Sequence, residues 1–385
     1  MPSFLSKKDI GAIILLLLAS IFIKVFFLLF YSGCCTVNLF DIDFYHKTWL
    51  QITSGHLPYI AFGVDYPQLY LIPVLIAGTL SETVYGNFSV VFVIMTFLLD
   101  MIVIISIYLI AVRLKNRRTA IIASLMYMTA MGSQYFVMTK YDIFPVALMM
   151  VSLTCALYGR DAGAYVWATL GGLAKWFPGL LLPFYIIYGI KNRITGIRKF
   201  VLVSVVITAF VMLPFLVISP VNFIYTYTVN TNFNTLAGGF IFYLNYIAGT
   251  TMFSDISMII VAALIIGLIW WYYKYGDKDY NTMLIIVTAA LFIFVIFNKV
   301  QSPQYWLWLT PLYVIFLSDS IQDAAAFYAF QIVLFLEYPW FFNVIYDNTQ
   351  GYYGITAVEF FTIKFVIAFI IIFLILRKMP KASQL

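Results

Sequence analysis

The sequence predicts an all-helical membrane protein, a transmembrane bundle of about twelve spans with short juxtamembrane helices at its outer surface. Three observations support this fold class. Hydrophobic residues make up 64% of the 385 residues, whereas charged residues make up only 10%. Apolar segments follow one another along the whole chain, and short basic clusters separate several of them. A soluble domain of this length could not bury so much apolar surface, but a bundle in lipid exposes it outward.

The apolar segments define the predicted spans in order. Each runs for roughly the length that a helix needs to cross the hydrocarbon core, which is about 20 residues, although some are shorter. Polar, proline or glycine residues interrupt the run between one segment and the next. We treat residues 1–385 as one membrane domain with spans near residues 10–30, 84–112, 119–138, 143–158, 163–174, 176–190, 200–218, 256–275, 280–297, 305–318, 324–345 and 358–377.

The basic clusters predict the orientation, because cationic residues concentrate on the cytoplasmic side of a bilayer. Placing the clusters inside puts both termini in the cytoplasm. It also puts two long segments outside, the first outer loop at 31–83 and a second outer loop at 219–255. The clusters are Lys7-Lys8, residues 113–118, residues 191–199, residues 274–278 and residues 377–381.

Two further segments are assigned by the parity of the spans. Residues 67–81 are apolar, but counting them as a span would invert every later loop, and Pro67 and Pro73 interrupt them. We expect a juxtamembrane helix there. Residues 163–190 must cross an even number of times, so we expect two short helices joined around Lys175.

Six of the 22 lysine and arginine residues lie in outer loops or in the outer part of a span, and all six are lysines. Ionisable residues inside a membrane are costly and usually face a cavity or a partner. A lysine near a helix end can instead extend its ammonium to the headgroups. We expect this second behaviour of Lys24, Lys47 and Lys364.

The other three lysines adjoin polar or helix-breaking residues. Lys140 is close to Asp142, Lys175 precedes Trp-Phe-Pro, and Lys299 precedes Gln-Ser-Pro-Gln-Tyr. We predict that these three ammonium groups line a cationic pocket at the outer face.

Two aspartates follow the first apolar segment. Asp41 and Asp43 lie beside the predicted membrane surface in a chain where carboxylates are scarce. Such a carboxylate can take a proton from a hydroxyl or hold a divalent ion. The alternative is a solvated acidic loop.

Ammonium groups and an acid at one face suit one class of reaction. When a hydroxyl attacks a sugar carried on a lipid phosphate, negative charge grows on the departing phosphate, and ammonium groups stabilise it. The hydroxyl must lose a proton, which an aspartate can accept. Aromatic residues, 19% of the chain, would line a groove for the lipid tail.

Several short motifs resemble those of GPI mannosyltransferase I and its relatives, C-type (GT-C) glycosyltransferases that span the membrane many times and use polyprenyl-phosphate sugars. The resemblance extends from about residue 38 to 318, and the order of the motifs makes it more specific than any one of them. The matching segments are FDIDFY at 40–45, GHLPY at 55–59, DYP at 65–67, KYD at 140–142, AKWFP at 174–178 and NKVQSPQYWLW at 298–308.

The resemblance implies residue functions. Asp41 would be the catalytic base, and Asp43 would orient the acceptor or, with Asp41, hold a divalent cation such as Mg or Mn; no other cofactor is expected. Lys140 would replace the arginine common in the family, and Lys is a point charge rather than a planar fork. The donor phosphate would be bound by Lys140, Lys175 and Lys299. Candidate substrate-binding residues are Tyr45, His56, Tyr59, Asp65, Tyr66, Asp142, Gln304, Tyr305 and Glu337.

The sequence is therefore interpreted as a glycosyltransferase that transfers mannose with inversion from a polyprenyl- or dolichyl-phosphate donor to a lipid-linked or glycan acceptor. Its partners would be these substrates and membrane lipids, with no nucleic acid. We expect an integral protein of a prokaryotic cell membrane, in preference to the endoplasmic reticulum, with its site on the extracytoplasmic face. The alternatives are a secondary transporter, whose broken helices also form substrate sites, and a lipid-sugar flippase, which needs the cationic pocket but not the acids.

Overall fold

The computed structural model describes residues 6–34, 39–232, 238–340 and 355–380, and within them the chain is helical with no β-strand. Short 3₁₀ or π turns extend several helices, at Gln68–Tyr70, Ser81–Tyr85, Phe177–Leu180, Pro303–Tyr305 and Leu336–Trp340. The α-helices are α1 Lys7–Cys34, α2 Phe40–Thr53, α3 Leu71–Leu80, α4 Phe88–Leu114, α5 Arg117–Met128, α6 Met131–Thr139, α7 Ile143–Leu157, α8 Asp161–Ala174, α9 Leu181–Lys191, α10 Ile197–Ile218, α11 Pro220–Asn232, α12 Phe240–Ala248, α13 Met252–Tyr275, α14 Tyr280–Ile296, α15 Trp306–Leu317, α16 Ile321–Phe335 and α17 Ile355–Leu376.

The chain is an integral membrane protein. Within the described residues, five helices are long and apolar enough to cross a bilayer: α1, α4, α10, α13 and the last 18 residues of α17. The pair α5–α6 could make a sixth. As far as the described residues extend, each predicted span coincides with a helix or helix pair. Several of these helices are short, so the structure does not confirm twelve spans.

One predicted span is broken. The segment expected at 119–138 forms α5 and α6, which are bent by 65° relative to each other. Thr129 and Ala130 end the first helix and begin the second. The last part of the span predicted at 324–345 lies outside the described residues.

The prediction of two short helices around Lys175 is confirmed. Helix α8 ends at Ala174, and a 3₁₀ turn leads from Phe177 into α9. A Cβ atom added at Gly171 would lie 2.6 Å from the Cβ of Pro178. The glycine therefore allows the close approach that turns the chain at Lys175.

Basic clusters from separate parts of the chain meet at one end of the bundle. Arg117 lies 2.7 Å from Asp9, at the start of α1. Lys115 and Lys378 both pair with Asp319, at 2.5 and 3.1 Å. These contacts agree with the prediction that the basic clusters lie on the same side of the membrane.

The two predicted outer loops lie against each other. The amide of Asn222 donates to the backbone oxygen of Ile60 at 2.7 Å, and the hydroxyl of Thr226 donates to that of Val64 at 2.8 Å. Both donors are on α11, which covers the turn that follows α2. These segments therefore share a side of the bundle, as the predicted orientation requires.

The prediction for Lys24 was wrong. Its ammonium does not reach a headgroup region but is buried and forms an ion pair with Asp100, near the middle of α4. The hydroxyl of Tyr127 donates to the same carboxylate at 2.6 Å, and Lys24 also donates to the side-chain oxygen of Gln134 at 3.2 Å. Because a buried charge without a partner is costly, Asp100 keeps its ion pair with Lys24.

The prediction for Lys364 was wrong for the same reason. The ammonium is buried, 2.8 Å from the carboxylate of Glu337, and donates to the backbone oxygen of Gly238 at 2.6 Å. Lys47, by contrast, is exposed on α2.

Candidate functional site

Four charged side chains form one cluster, which we call the outer site because Asp41 belongs to the predicted first outer loop: Asp41, Lys140, Asp142 and Lys175. Asp41, in the first turn of α2, forms an ion pair with Lys140. Lys175 is 2.8 Å from Asp142. Asp41 and Lys140 are also near enough to act electrostatically on Lys175, so the two ion pairs belong together.

Three of these four residues, Lys140, Asp142 and Lys175, lie at the ends of helices. Lys140, Tyr141 and Asp142 occupy the turn between α6 and α7, with Lys140 in an extended conformation. Lys175 is likewise extended, immediately after α8. The backbone N–H of Tyr141 donates to the hydroxyl of Tyr45 at 3.5 Å, so α2 and this turn are in contact.

The carboxylate of Asp142 is held unevenly. Its Oδ1 accepts from Lys175 at 2.8 Å and from the indole N–H of Trp308 at 2.7 Å. Its Oδ2 is buried and has no hydrogen-bond partner among the described residues. Both hydrogen bonds to this carboxylate are therefore accepted by the same oxygen, Oδ1.

Aromatic rings enclose the ammonium of Lys175. Its Nζ lies 4.9 to 5.5 Å from the centres of four rings, a distance at which a cation is attracted to a ring face. The ring faces attract the ammonium, which offsets part of the cost of burying its charge. The four rings are Tyr66, Tyr141, Tyr305 and Trp308.

Tyr45 and Tyr66, which the sequence analysis gave as candidate substrate-binding residues, lie beside the outer site, and their rings are 6.4 Å apart. Burial raises the pKa of both hydroxyls well above their usual value, and the nearby Asp41 raises it further. Both hydroxyls therefore stay protonated and can donate hydrogen bonds.

Asp43 does not join Asp41. It is exposed, and residues two apart on a helix are separated by about 200° around its axis. Because Asp41 faces the ammonium of Lys140, the two carboxylates do not converge on one point. Among the described residues there is no group of three acidic, histidine or cysteine side chains that could hold a metal ion. The Mg or Mn ion predicted from the sequence is not tested by this structure, and the divergence of Asp41 and Asp43 argues against it.

Three predicted residues in the turn after α2 have other contacts. His56 is exposed and 3.1 Å from the hydroxyl of Ser54. Tyr59 is buried, and its hydroxyl donates to the backbone oxygen of Tyr66 at 2.8 Å. It therefore holds the segment that carries Tyr66. Burial raises the pKa of Asp65, while a hydrogen bond with Tyr225 lowers it.

The segment before α15 is only partly brought into the outer site. Tyr305 contacts Lys175, whereas Gln304 forms a hydrogen bond with Ser302. Lys299 is half-buried in the preceding turn. Glu337 belongs to the separate buried pair with Lys364.

Two residues at the outer site were missed as candidates. Tyr141 and Trp308 both lie inside the matching motifs at 140–142 and 298–308, but a motif match does not show which aromatic faces a charge. The signal available was position, since Trp308 is three residues after Tyr305 and therefore on the same helical face.

The outer site balances its charges in the absence of substrate. Two carboxylates and two ammonium groups give a net charge of zero. Each ammonium group has three N–H donors, so an incoming phosphate either shares it with its carboxylate or displaces that carboxylate. The arrangement can therefore bind an anion and release a base in the same event.

Comparison with known proteins identifies the fold. The crystal structure of ArnT from Cupriavidus metallidurans in the apo state superposes with a TM-score of 0.53 at 12% sequence identity, covering 96% of this chain and 77% of that one. The chain therefore has a multi-spanning helical fold of the GT-C type. No protein-family model and no curated protein matches the sequence.

Proposed function

We propose that the protein is a membrane glycosyltransferase that moves a sugar from a polyprenyl-phosphate donor to an acceptor hydroxyl with inversion. The fold shared with ArnT supports a transferase that uses a polyprenyl-phosphate sugar. The observation that carries the proposal is the outer site itself. It puts an accessible carboxylate, Asp41, in one cluster with two ammonium groups, those of Lys140 and Lys175.

The donor phosphate binds Lys140 and Lys175. Exchange of Asp41 for phosphate at Lys140 keeps that ammonium paired, so it avoids the large cost of a buried unpaired charge. Asp41 is then free, and it is the more exposed member of the pair, with 19% of its side chain accessible. Donor binding thus produces the base.

In the transfer step, the acceptor oxygen bonds to the anomeric carbon from the side opposite the phosphate. The bond between that carbon and the phosphate oxygen breaks, and its electrons stay on the phosphate. The acceptor proton passes to Asp41. Lys140 and Lys175 stabilise the charge that grows on the leaving polyprenyl phosphate.

The finer assignments are mannose as the sugar, a lipid-linked or glycan acceptor, and an extracytoplasmic site in a prokaryotic membrane. Mannose rests on the motifs that resemble GPI mannosyltransferase I. The outer face rests on the basic clusters, which meet at one end of the bundle and would lie in the cytoplasm. A cysteine introduced at the exposed Lys47 should then react with an impermeant reagent from outside intact cells.

A transporter is less well supported by the site. A transporter places its substrate site near mid-depth between broken helices. Here the site also includes Asp41, from the predicted first outer loop, which pairs with Lys140. A flippase would use the two lysines but would not require Asp41 to take a proton.

The test is a transfer assay on purified protein in nanodiscs with polyprenyl-phosphate mannose, glucose, galactose and aminoarabinose. Each donor is offered with a mixture of lipid-linked glycan acceptors. Mannose transfer with an inverted anomeric centre is expected, with the product's configuration determined by NMR. Transfer of another sugar would replace the mannose assignment, and binding of donors without any transfer would favour the flippase.

A further inference from the structure

Trp308 is attached to the outer site in a way that the transfer chemistry does not by itself require. Its indole N–H donates to Asp142, and its ring stacks between two others. The ring centres of Phe177 and Tyr305 lie 4.3 and 3.9 Å away, with interplanar angles of 9° and 25°. Buried in this stack, the indole has a fixed direction for its N–H group.

The two acids of the outer site differ in what happens to them when phosphate arrives. Asp41 is partly exposed, so water can solvate it after Lys140 turns to the phosphate. Asp142 is 1% exposed, and water cannot replace Lys175 there. A buried carboxylate that loses its cation is strongly destabilising unless another donor remains.

We propose that Trp308 is a positioning residue that holds Asp142 while Lys175 binds the donor phosphate. This inference rests on the proposed function. The indole donor is neutral, so it lowers the cost of separating Asp142 from Lys175 without competing for the phosphate. Lys175 can then move between carboxylate and phosphate, while Asp142 stays in place.

The test measures binding rather than turnover, using unglycosylated polyprenyl phosphate and protein in nanodiscs. Trp308→Phe keeps an aromatic ring in the stack but removes the N–H donor. The indole donates to Asp142 before phosphate binds as well as after, but after binding it is the donor that remains when Lys175 has left. Only this difference between the two states changes the dissociation constant, which should rise about three- to tenfold. Trp308→His, whose ring can donate to Asp142, should recover part of the affinity.

Two controls separate positioning from packing. Trp306→Phe alters a buried tryptophan on the same helix that packs against Phe330, and it should keep the wild-type affinity. In an Asp142→Asn background no carboxylate loses its cation when Lys175 binds phosphate, so adding Trp308→Phe should change the dissociation constant less than about twofold. Thermal unfolding of each variant checks that it is folded.

An equal loss of affinity in both backgrounds would mean that Trp308 only shapes the pocket, and it would overturn the proposal. So would wild-type affinity in Trp308→Phe. Failure of the wild-type protein to bind polyprenyl phosphate would instead refute the proposed function and this inference with it. Wild-type binding with no effect of Trp308→Phe would refute this inference alone.

Discussion

Two lysine–aspartate pairs in this molecule resemble each other in composition but differ in their surroundings. The inner pair, Lys24 and Asp100, has side chains only 4% and 0% exposed. The outer pair, Lys140 and Asp41, has side chains 7% and 19% exposed. The carboxylate of the outer pair is therefore the one that solvent and substrates can reach.

Their neighbours differ as well. The inner pair is completed by neutral partners, with the hydroxyl of Tyr127 donating to Asp100 and Gln134 accepting from Lys24. Such a pair has little reason to open, because opening would leave a buried charge without a partner. The outer pair borders a second ion pair and can exchange a carboxylate for a phosphate. The comparison teaches that access to the carboxylate, not the presence of a membrane lysine, indicates a functional site.

The largest expected effect comes from Asp41→Asn. The amide cannot take a proton, so the transfer rate should fall about 10²- to 10⁴-fold, the usual contribution of a general base. Donor binding should become tighter, because Lys140 no longer has a competing carboxylate. Single-turnover kinetics and direct binding of polyprenyl phosphate measure the two effects separately.

Asp43→Asn is the matched control, since it removes the same charge from the exposed face of α2. It should leave donor affinity near that of the wild type. Weaker donor binding in Asp41→Asn would contradict the exchange of carboxylate for phosphate, even if transfer were lost.

The next largest effect concerns the inner pair. Lys24→Met leaves Asp100 buried without its cation and should lower the free energy of unfolding by about 3–5 kcal/mol. Activity per folded molecule should be unchanged, because Lys24 is not in the outer site. Unfolding in detergent followed by activity of the folded fraction tests both statements.

The double variant Lys24→Met with Asp100→Leu should recover most of the stability, because replacing a whole buried pair by apolar residues is often close to neutral. A double variant that is stable but has no transfer activity would show that the inner pair does more than hold α1 to α4.

A smaller effect is expected for the phosphate-binding lysines. Lys175→Gln should raise the apparent Michaelis constant for the lipid donor about tenfold or more, and that for the acceptor much less. Lys299→Gln is a prediction of the same kind from the motif alone. Lys47→Gln, on the exposed side of α2, is the control. Donor kinetics unchanged in Lys175→Gln would place the phosphate elsewhere.

Much of the fold could be predicted from the sequence because membrane helices leave strong local signals. Apolar length and basic clusters predicted the helix order, and glycine with proline around Lys175 predicted the paired short helices. The bend between α5 and α6 was not predicted, because no proline interrupts residues 119–138 and a single glycine, Gly132, is tolerated inside a helix. Helices α7, α8, α14 and α15 match their predicted segments but have only 12 to 17 residues, so they do not confirm twelve spans.

The outer site was predicted less completely, because its geometry depends on contacts between distant segments. Because Asp41 and Asp43 are only two residues apart, the sequence suggested that they act as a pair. The helical conformation of α2 instead directs them to different sides. Lys24 and Lys364 were assigned to headgroups because their partners, Asp100 and Glu337, are far away in sequence. Burial of a charge can be judged only once its partner is known.

The smallest expected effect is that of removing divalent cations. The geometry of α2 points Asp41 at an ammonium and Asp43 to another side, whereas Mg or Mn would need several oxygen ligands around one point. Transfer should therefore be insensitive to EDTA and to added Mg or Mn, and Asp43→Asn should not change that insensitivity. The assay is run with the donor held well above its Michaelis constant, so that a cation that changes the availability of the lipid donor does not alter the rate.

If EDTA abolished transfer and Mg or Mn restored it in the wild type but not in Asp43→Asn, the two carboxylates would hold an ion after all. The Asp41–Lys140 pair would then have to open for the ion as well as for the phosphate, and the outer pair would differ from the inner one in binding a metal.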